Sequence, residues 1–229
     1  MTTMVYHNPV LLKETVDGLN IKEDGVYVDV TFGGGGHSKE ILKRLGENGK
    51  LFAFDQDPDA QRNKIDDERF VLIAENFRFI SRFLRFYGVR KVDGVLADLG
   101  VSSHQFDEAE RGFSTRFDAD LDMRMNQKSD LSGKKIVNTY SEEALADILF
   151  LYGELRNART LAKTIVAARE ENEIATSFEL KGVLQKFLPK AKEHKILAQI
   201  FQAIRIEVNQ ELEVLKEFLQ QMPDLLNEE

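Results

Sequence analysis

The sequence predicts an α/β protein built on a parallel sheet, because strand-like and helix-like segments alternate through its first hundred residues. Four short runs are rich in β-branched and aromatic residues, and a glycine cluster follows the first of them. We predict strands over residues 26–30, 51–54, 70–73 and 94–97. Strands that alternate with helices form parallel sheets with helices on both faces.

Two helices are predicted within this first part. Asn8 and Pro9 are typical of a helix start, with Asn8 as the cap and Pro9 as the first helical residue. We expect this helix to run to about Leu19. A second helix is predicted from about Ser38 to Leu45, directly after the glycine cluster.

The pattern changes after residue 103. Residues 104–135 are rich in Asp, Arg, Gly and Ser and predict a long loop, whereas helical periodicity resumes at Ser141. Thr176 and Glu179 form a capping box before another helix. We predict no strand after Asp98, which leaves a four-stranded sheet with an unprotected edge. A last long helix is predicted over about residues 194–221, with a buried face made of Leu197, Phe201, Ile204, Val208, Leu212, Leu215 and Leu219.

Composition excludes several classes of protein. The 229 residues contain no cysteine, which excludes disulfides, thiolate-held iron–sulfur clusters and a cysteine nucleophile. The four histidines lack zinc-type spacing, so no metal is expected. No membrane-length apolar run and no secretory signal are present, so we expect a soluble, cytoplasmic protein. The net charge is −8, whereas proteins that bind nucleic acid by charge alone are usually basic. If the ligand is RNA, the basic contacts are local, a further basic segment is required, or a partner supplies the affinity.

Residues 29–38 place four consecutive glycines between the first strand and a helix. Glycine lets the backbone pass close to a ligand, and the helix start offers free N–H groups to an anion. Asp55 ends the next strand 22 residues after Gly33, where a carboxylate can bind both ribose hydroxyls of an adenosine. This order favours a nucleotide site over a glycine-rich turn beside a surface acid. Ser38 replaces the third glycine of the dinucleotide pattern, which favours S-adenosylmethionine over NAD.

Asp98 ends the fourth predicted strand. Ligands of open α/β sheets bind beyond the carboxyl ends of the strands, so we expect Asp98 in the same cleft as Gly35 and Asp55. A helix-capping role for Asp98 stays open as the alternative.

Eight stretches in order along the chain carry a family resemblance: residues 7–14, 29–38, 54–58, 93–103, 111–114, 121–125, 152–154 and 201–212. As an ordered set they resemble the ribosomal small-subunit RNA methyltransferase H family, also called MraW. The resemblance implies a class I, Rossmann-like S-adenosylmethionine-dependent methyltransferase sheet over residues 1–104 and 201–229. It also implies an inserted all-helical domain for substrate recognition over residues 105–200. The family continues with a Gly-Gly-Arg strand and a His-Ser-Leu-Glu-Asp motif, so we expect the last strands to lie outside these 229 residues.

The same resemblance implies transfer of a methyl group to the exocyclic N4 atom of a cytidine in the decoding centre of 16S rRNA. The family usually has proline where His104 stands here. The cofactor contacts that the resemblance implies are Gly35, Gly36, His37, Asp55, Phe77, Asp98 and Gln105.

Asp98 is the candidate catalytic residue, because an exocyclic amine needs an acceptor that orients its lone pair and receives its proton. Without cysteine, the covalent route to methylation at cytosine C5 is excluded, which favours attack at nitrogen or oxygen. Ser102 and Ser103 are candidates for holding the edge of a base that is splayed out of the RNA.

Three further residues are candidates for substrate contact. Arg124 belongs to a segment in which arginine and phenylalanine alternate, as in RNA-binding loops, but acids outnumber them and an ion pair within the loop is equally compatible. Arg205 and Asn209 form a polar stripe on the last helix, which either lines the cleft or satisfies buried carbonyl groups.

Two other functions stay open at this point: an NAD-dependent oxidoreductase and a non-catalytic RNA-binding or assembly factor. The expected partner is 16S rRNA or the small ribosomal subunit. The oligomeric state is open, with a homodimer as one alternative.

Overall fold

The computed structural model describes Pro9 and residues 11–228. Its four strands are β1 (Val26–Asp29), β2 (Lys50–Phe54), β3 (Phe70–Ile73) and β4 (Gly94–Leu96), all of which pair in parallel. The four predicted strands are therefore confirmed, each to within one residue at either end. The strand order β3-β2-β1-β4 is the first part of the 3-2-1-4-5-6 order of Rossmann folds, so the predicted α/β fold class is confirmed.

The chain divides into two compact units, residues 1–101 with 213–229 and residues 102–212. The first contains α1 (Leu12–Gly18), α2 (Gly36–Arg44), α3 (Ile80–Phe86) and nearly all of α10 (Glu211–Leu225). The second contains α4 (Ser103–Asp107), α5 (Gly133–Thr139), α6 (Glu142–Leu151), α7 (Ala158–Glu171), α8 (Ser177–Leu184) and α9 (Glu193–Asn209). The bounds and roles of the two domains expected from the family resemblance stay predictions.

Both faces of the sheet in the first unit are covered by apolar side chains. On one face Tyr27 and Leu51 pack in a cluster with Ile41 of α2. On the other face Val28 and Phe52 pack in a cluster with residues of α3 and α10. Successive strand residues point to opposite faces, and helices on each side bury both sets.

The start predicted for the first helix is wrong. The helix begins at Leu12 rather than Pro9, because Leu11 has a left-handed backbone with φ of 54° that breaks the helical geometry. The proposed cap Asn8 lies outside the described residues.

The predicted uninterrupted loop over residues 104–135 is also wrong in part. It contains α4 and the start of α5, and Leu121 and Met123 within it are completely buried. The predicted capping box of Thr176 and Glu179 is confirmed at the start of α8.

The predicted last helix is two helices. Gln210 has a left-handed backbone with φ of 50° between α9 and α10, and this turn changes which side chains face inward. Leu212 and Leu219 of the predicted buried face are 51% and 55% exposed, whereas Val214 and Phe218 are buried. None of the helices in the described part of the chain has the length and hydropathy needed to cross a membrane.

Candidate active site

The glycine loop connects the carboxyl end of β1 to α2. Gly35 has φ of 73°, and a Cβ atom there would lie 2.9 Å from the Phe32 ring, so a side chain is excluded by both backbone and space. Gly36 begins α2, and a Cβ atom there would lie 2.5 Å from the Pro9 ring. The loop therefore depends on glycine at both positions, because neighbouring rings occupy the space that a side chain would need.

Asp55 lies directly beyond β2 and is hydrogen bonded to the glycine loop. One carboxylate oxygen accepts the Gly33 N–H at 2.8 Å, and the other accepts the Asp57 N–H at 2.9 Å. Burial raises the pKa of Asp55 to about 6, against the two backbone hydrogen bonds that lower it. The carboxylate thus sits at the glycine loop in an environment that makes its charge costly.

Asp29, the last residue of β1, is a structural residue of the site that sequence reasoning missed. It is completely buried, and one carboxylate oxygen accepts the Ser38 hydroxyl at 2.7 Å, while the other accepts the Thr31 N–H at 3.1 Å. Burial raises the pKa of Asp29, and the bonds from Ser38 and Thr31 oppose that shift. Ser38 therefore stands at the third glycine position as the partner of a buried acid. The signal was available in the sequence, as an acid and a serine nine residues apart at the two ends of the loop.

Asp98 is exposed just beyond the end of β4, and its backbone N–H donates to the Thr31 hydroxyl oxygen at 2.8 Å. This bond joins the end of β4 to the start of the glycine loop. The cap of the next helix, α4, is Ser102, so the alternative of a helix-capping role for Asp98 is wrong. Asp98 therefore has an accessible carboxylate at the same sheet edge as Asp55 and Gly35.

Phe77 and His37 lie in the same unit on the segments that follow β3 and β1. Phe77 begins a short 3₁₀ turn, is half-buried and packs edge-on against Phe218 at 5.2 Å between ring centroids. His37 is buried in the first turn of α2, and its Nε2 atom has no hydrogen-bond partner among the described residues. A buried polar atom without a partner is uncommon and marks a place where a ligand can bind.

The amide of Asn76 contributes to the same edge and was not predicted. Its Nδ2 atom donates to Gln56 Oε1 at 3.0 Å, and its Oδ1 atom accepts the Arg78 N–H. This bond fixes the residue after Asp55 against the segment that carries Phe77. No sequence pattern indicated it, because the two residues lie 20 positions apart.

Gln105, Ser102 and Ser103 lie in the second unit. Ser102 caps α4, accepting the Gln105 N–H at 3.1 Å, while Gln105 Oε1 accepts the Ser102 N–H at 3.1 Å. Ser103 is exposed. The Ser102 and Gln105 side chains thus have a reciprocal structural role, beside any role in ligand binding.

Arg124, Arg205 and Asn209 are engaged within the second unit. Arg124 forms two hydrogen bonds to Asp122 and donates to the Ser129 carbonyl, as expected for a loop held by its own ion pair. Arg205 makes a similar two-point contact with Glu211.

Asn209 joins α9 to the segment around Met123. Its Nδ2 atom donates to the Met123 carbonyl and its Oδ1 atom accepts the Met125 N–H, both at 2.8 Å. Of the two alternatives for the polar stripe, Asn209 therefore shows the one in which the side chain is hydrogen bonded to backbone groups. Use of these side chains for substrate contact stays a prediction.

The first unit thus has the arrangement of a Rossmann-like protein with a glycine loop, a carboxylate after β2 and a second carboxylate after β4. The donors and acceptors suit a ligand that carries both an anionic group and vicinal hydroxyl groups. Among the described residues, no cluster of three metal-binding side chains is present.

Comparison with known proteins identifies the family. The MraW methylase family matches residues 4–229, and the chain belongs to that family. The ribosomal RNA small subunit methyltransferase H of Flavobacterium johnsoniae is 69% identical over 225 residues, which are 98% of this chain and 74% of the relative. The protein of the same name from Christiangramia forsetii is 67% identical over 99% of this chain and 75% of the relative's length. The protein of the same name from Bacteroides thetaiotaomicron is 57% identical over 94% of this chain and 71% of the relative's length.

Proposed function

We propose that this protein transfers a methyl group from S-adenosylmethionine to the N4 atom of a cytidine in 16S rRNA. The observation that carries the proposal is the hydrogen bond between Gly33 and Asp55, which brings the cofactor-binding motifs together at one sheet edge. Membership of a methylase family supports the reaction class, and the names of the relatives support the small-subunit RNA as the substrate.

The residues at this edge fit the cofactor. Among the residues that the structure describes, no atom lies within 4 Å of the place where a Gly33 Cβ would be, so this part of the chain leaves space beside the loop. Asp55 would accept the ribose hydroxyls, Phe77 would contact the adenine, and Gly35, Gly36 and His37 would bind at the start of α2. Gln105 is proposed as a further contact from the second unit. When bound, the cofactor supplies a methyl group on a positively charged sulfur, which makes that carbon electrophilic.

Asp98 is the proposed catalytic residue. Its carboxylate is exposed, and its backbone is fixed by the bond to Thr31, so the side chain starts from a defined position. The carboxylate would accept a hydrogen bond from the cytosine amine, which would turn the nitrogen lone pair toward the methyl group. The same carboxylate would then take up the departing proton. Ser102 and Ser103 are proposed to hold the base edge, and Arg124, Arg205 and Asn209 to act as further substrate contacts.

The alternative of an NAD-dependent oxidoreductase is incompatible with membership of a methylase family. The non-catalytic alternative makes a different prediction, namely RNA binding without methyl transfer.

Sedimentation of the purified chain would decide whether it forms a homodimer.

The test uses the chain, labelled S-adenosylmethionine and small subunits assembled from unmodified 16S rRNA. We expect one labelled nucleoside in the digested RNA, identified by mass spectrometry as N4-methylcytidine. Asp98→Ala should lower the rate constant of methyl transfer by about 100- to 10,000-fold, the usual range for a lost acid–base group. Asp66→Ala removes an exposed acid that lies before β3, and should leave the rate unchanged.

Label at cytosine C5 or on a ribose oxygen would show that the proposed position is wrong. RNA binding with no transfer of label would favour the assembly factor instead. Full activity in Asp98→Ala would remove Asp98 from the mechanism while leaving the reaction class intact.

A further inference from the structure

A basic and aromatic segment lies outside the candidate active site. Residues 78–91 contain five of the 31 basic residues of the chain and none of its 39 acidic residues. The segment includes α3 and the turn that leads to β4. In a chain with a net charge of −8, such a local concentration of positive charge is a distinct surface feature.

The aromatic rings of this segment divide between the core and the surface. Ile80 and Leu84 of α3 are completely buried, which fixes the helix against the sheet. Phe79, Phe86 and Tyr87 are 41%, 80% and 46% exposed, and no other large apolar side chain among the described residues is as exposed as Phe86. An uncovered phenylalanine ring leaves apolar surface in water that a binding partner can cover.

Three arginines of the segment carry charge that no acid among the described residues neutralises. Arg82, Arg85 and Arg90 are exposed and form no ion pair with any described residue. Arg78 differs, because it is hydrogen bonded to Glu217 on α10. We define the α3 surface as Phe79, Arg82, Arg85, Phe86, Tyr87 and Arg90.

Helical spacing brings three of these side chains together, whereas Tyr87 and Arg90 follow the end of α3. Phe79, Arg82 and Phe86 follow one another at steps of three and four residues, which places them along one side of the helix. The rings of Phe86 and Tyr87 meet edge-on at 5.2 Å between centroids. The part of the surface from Phe79 to Phe86 is about 10 Å long, from the 1.5 Å rise of a helical residue.

Alternating arginine and aromatic side chains suit single-stranded RNA better than an apolar ligand. Unpaired bases stack on aromatic rings, while phosphate groups bind the intervening arginines. Uncompensated arginines attract a polyanion, whereas the rest of the acidic chain repels it.

We propose that the α3 surface binds unpaired nucleotides of the RNA substrate at a distance from the reacting base, an inference that rests on the proposed function for its choice of RNA. The helix starts beside Phe77, which follows β3, and ends before β4, so the surface extends from the carboxyl edge of the sheet toward its amino edge. Such a contact would give a net acidic protein a local attachment point for RNA.

The test measures the affinity of the chain for 16S rRNA by filter binding at several salt concentrations. The double variant Arg85→Gln/Arg90→Gln should bind about tenfold more weakly, with the slope of log affinity against log salt reduced by about 1 to 1.5 for two lost phosphate contacts. Phe86→Ala should bind about tenfold more weakly with an unchanged slope, because stacking involves no counterions. The double variant Lys13→Gln/Lys50→Gln removes the same charge from two exposed lysines of the first unit, outside the α3 surface, and is the matched control.

Wild-type affinity in the α3 variants, or an equal loss in the Lys13→Gln/Lys50→Gln control, would overturn the proposal. A change in sedimentation of Phe86→Ala with unchanged RNA affinity would overturn it in favour of a contact between copies of the chain. S-adenosylmethionine binding is measured on every variant and should be unchanged, which shows that the fold is intact. If the unaltered chain methylates no RNA but its RNA affinity still depends on Arg85 and Phe86, the proposed function fails and the α3 surface stands.

Discussion

The carboxylate of Asp55 accepts a 2.8 Å hydrogen bond from the backbone N–H of Gly33, which joins the end of β2 to the loop that follows β1. Because each carboxylate oxygen can accept more than one hydrogen bond, this contact leaves capacity for a ligand. The bond thus positions an acid at the glycine loop, and the following predictions test what the acid and its neighbours do.

Asp55→Ala should weaken S-adenosylmethionine binding by about 10- to 100-fold, the cost of removing hydrogen bonds to a charged acceptor. Titration calorimetry measures the dissociation constant. Asp55→Asn retains one acceptor oxygen and should lose less affinity than Asp55→Ala. Asp66→Ala is the control for loss of an exposed acid, and equal affinities in all four proteins would exclude Asp55 from the site.

The pH dependence of stability should report the buried charge of Asp55. Its pKa of about 6 lies above the ordinary value of 3.8, so the folded chain holds this proton more tightly than the unfolded chain. The resulting stabilisation is present below pH 4 and is lost as the pH rises through 6. Relative to Asp55→Asn, the unaltered chain should lose up to about 3 kcal/mol of unfolding free energy between pH 4 and 7.

Urea denaturation of the two proteins at each pH measures this difference, and titrating groups that do not interact with Asp55 cancel in the comparison. A difference that is constant across this range would show that Asp55 has an ordinary pKa in the folded chain.

Ser38→Ala should lower the free energy of unfolding by about 1.5–3 kcal/mol, because it removes a hydrogen bond from the buried carboxylate of Asp29. Urea denaturation measures the effect. Ser103→Ala removes a hydroxyl from an exposed serine and should change stability by less than about 0.5 kcal/mol. Equal stabilities of the two variants would contradict the proposed importance of the Ser38–Asp29 bond.

Neighbouring residues on α10 test the corrected helix phase. Phe218 is 4% exposed and packs against Phe77, whereas Leu219 is 55% exposed. Phe218→Ala should therefore cost about 3–5 kcal/mol of unfolding free energy. Leu219→Ala should cost less than about 1 kcal/mol of unfolding free energy. A larger loss in Leu219→Ala than in Phe218→Ala would instead support the continuous helix that the sequence periodicity predicts.

The strands and the glycine loop were predictable because their signals are local. Short runs of β-branched and aromatic residues identified four strands, and the positive φ of Gly35 is a conformation that its residue type favours. The acids Asp55 and Asp98 were found by their places after strands, since the carboxyl ends of parallel strands share one edge of the sheet.

The helix break at Gln210 was missed because glutamine carries no turn signal, and the apolar spacing continues across it. Similarly, the sequence left open whether Arg124 and Asn209 contact substrate or backbone. The structure shows that Arg124 pairs with Asp122, two residues before it, and that Asn209 donates to the Met123 carbonyl, 86 residues away. Only the second contact depends on segments that approach after folding.

The sequence by itself determined the four strands, the position of the glycine loop and the acids after β2 and β4, because backbone preference and apolar periodicity act between near neighbours. Only the tertiary structure decided that Gln210 divides the last helix, that Asp55 binds Gly33 and that α3 leaves Phe86 uncovered. Hydrogen bonds and burial depend on which distant segments pack together, and that information is not carried by any one stretch of the chain.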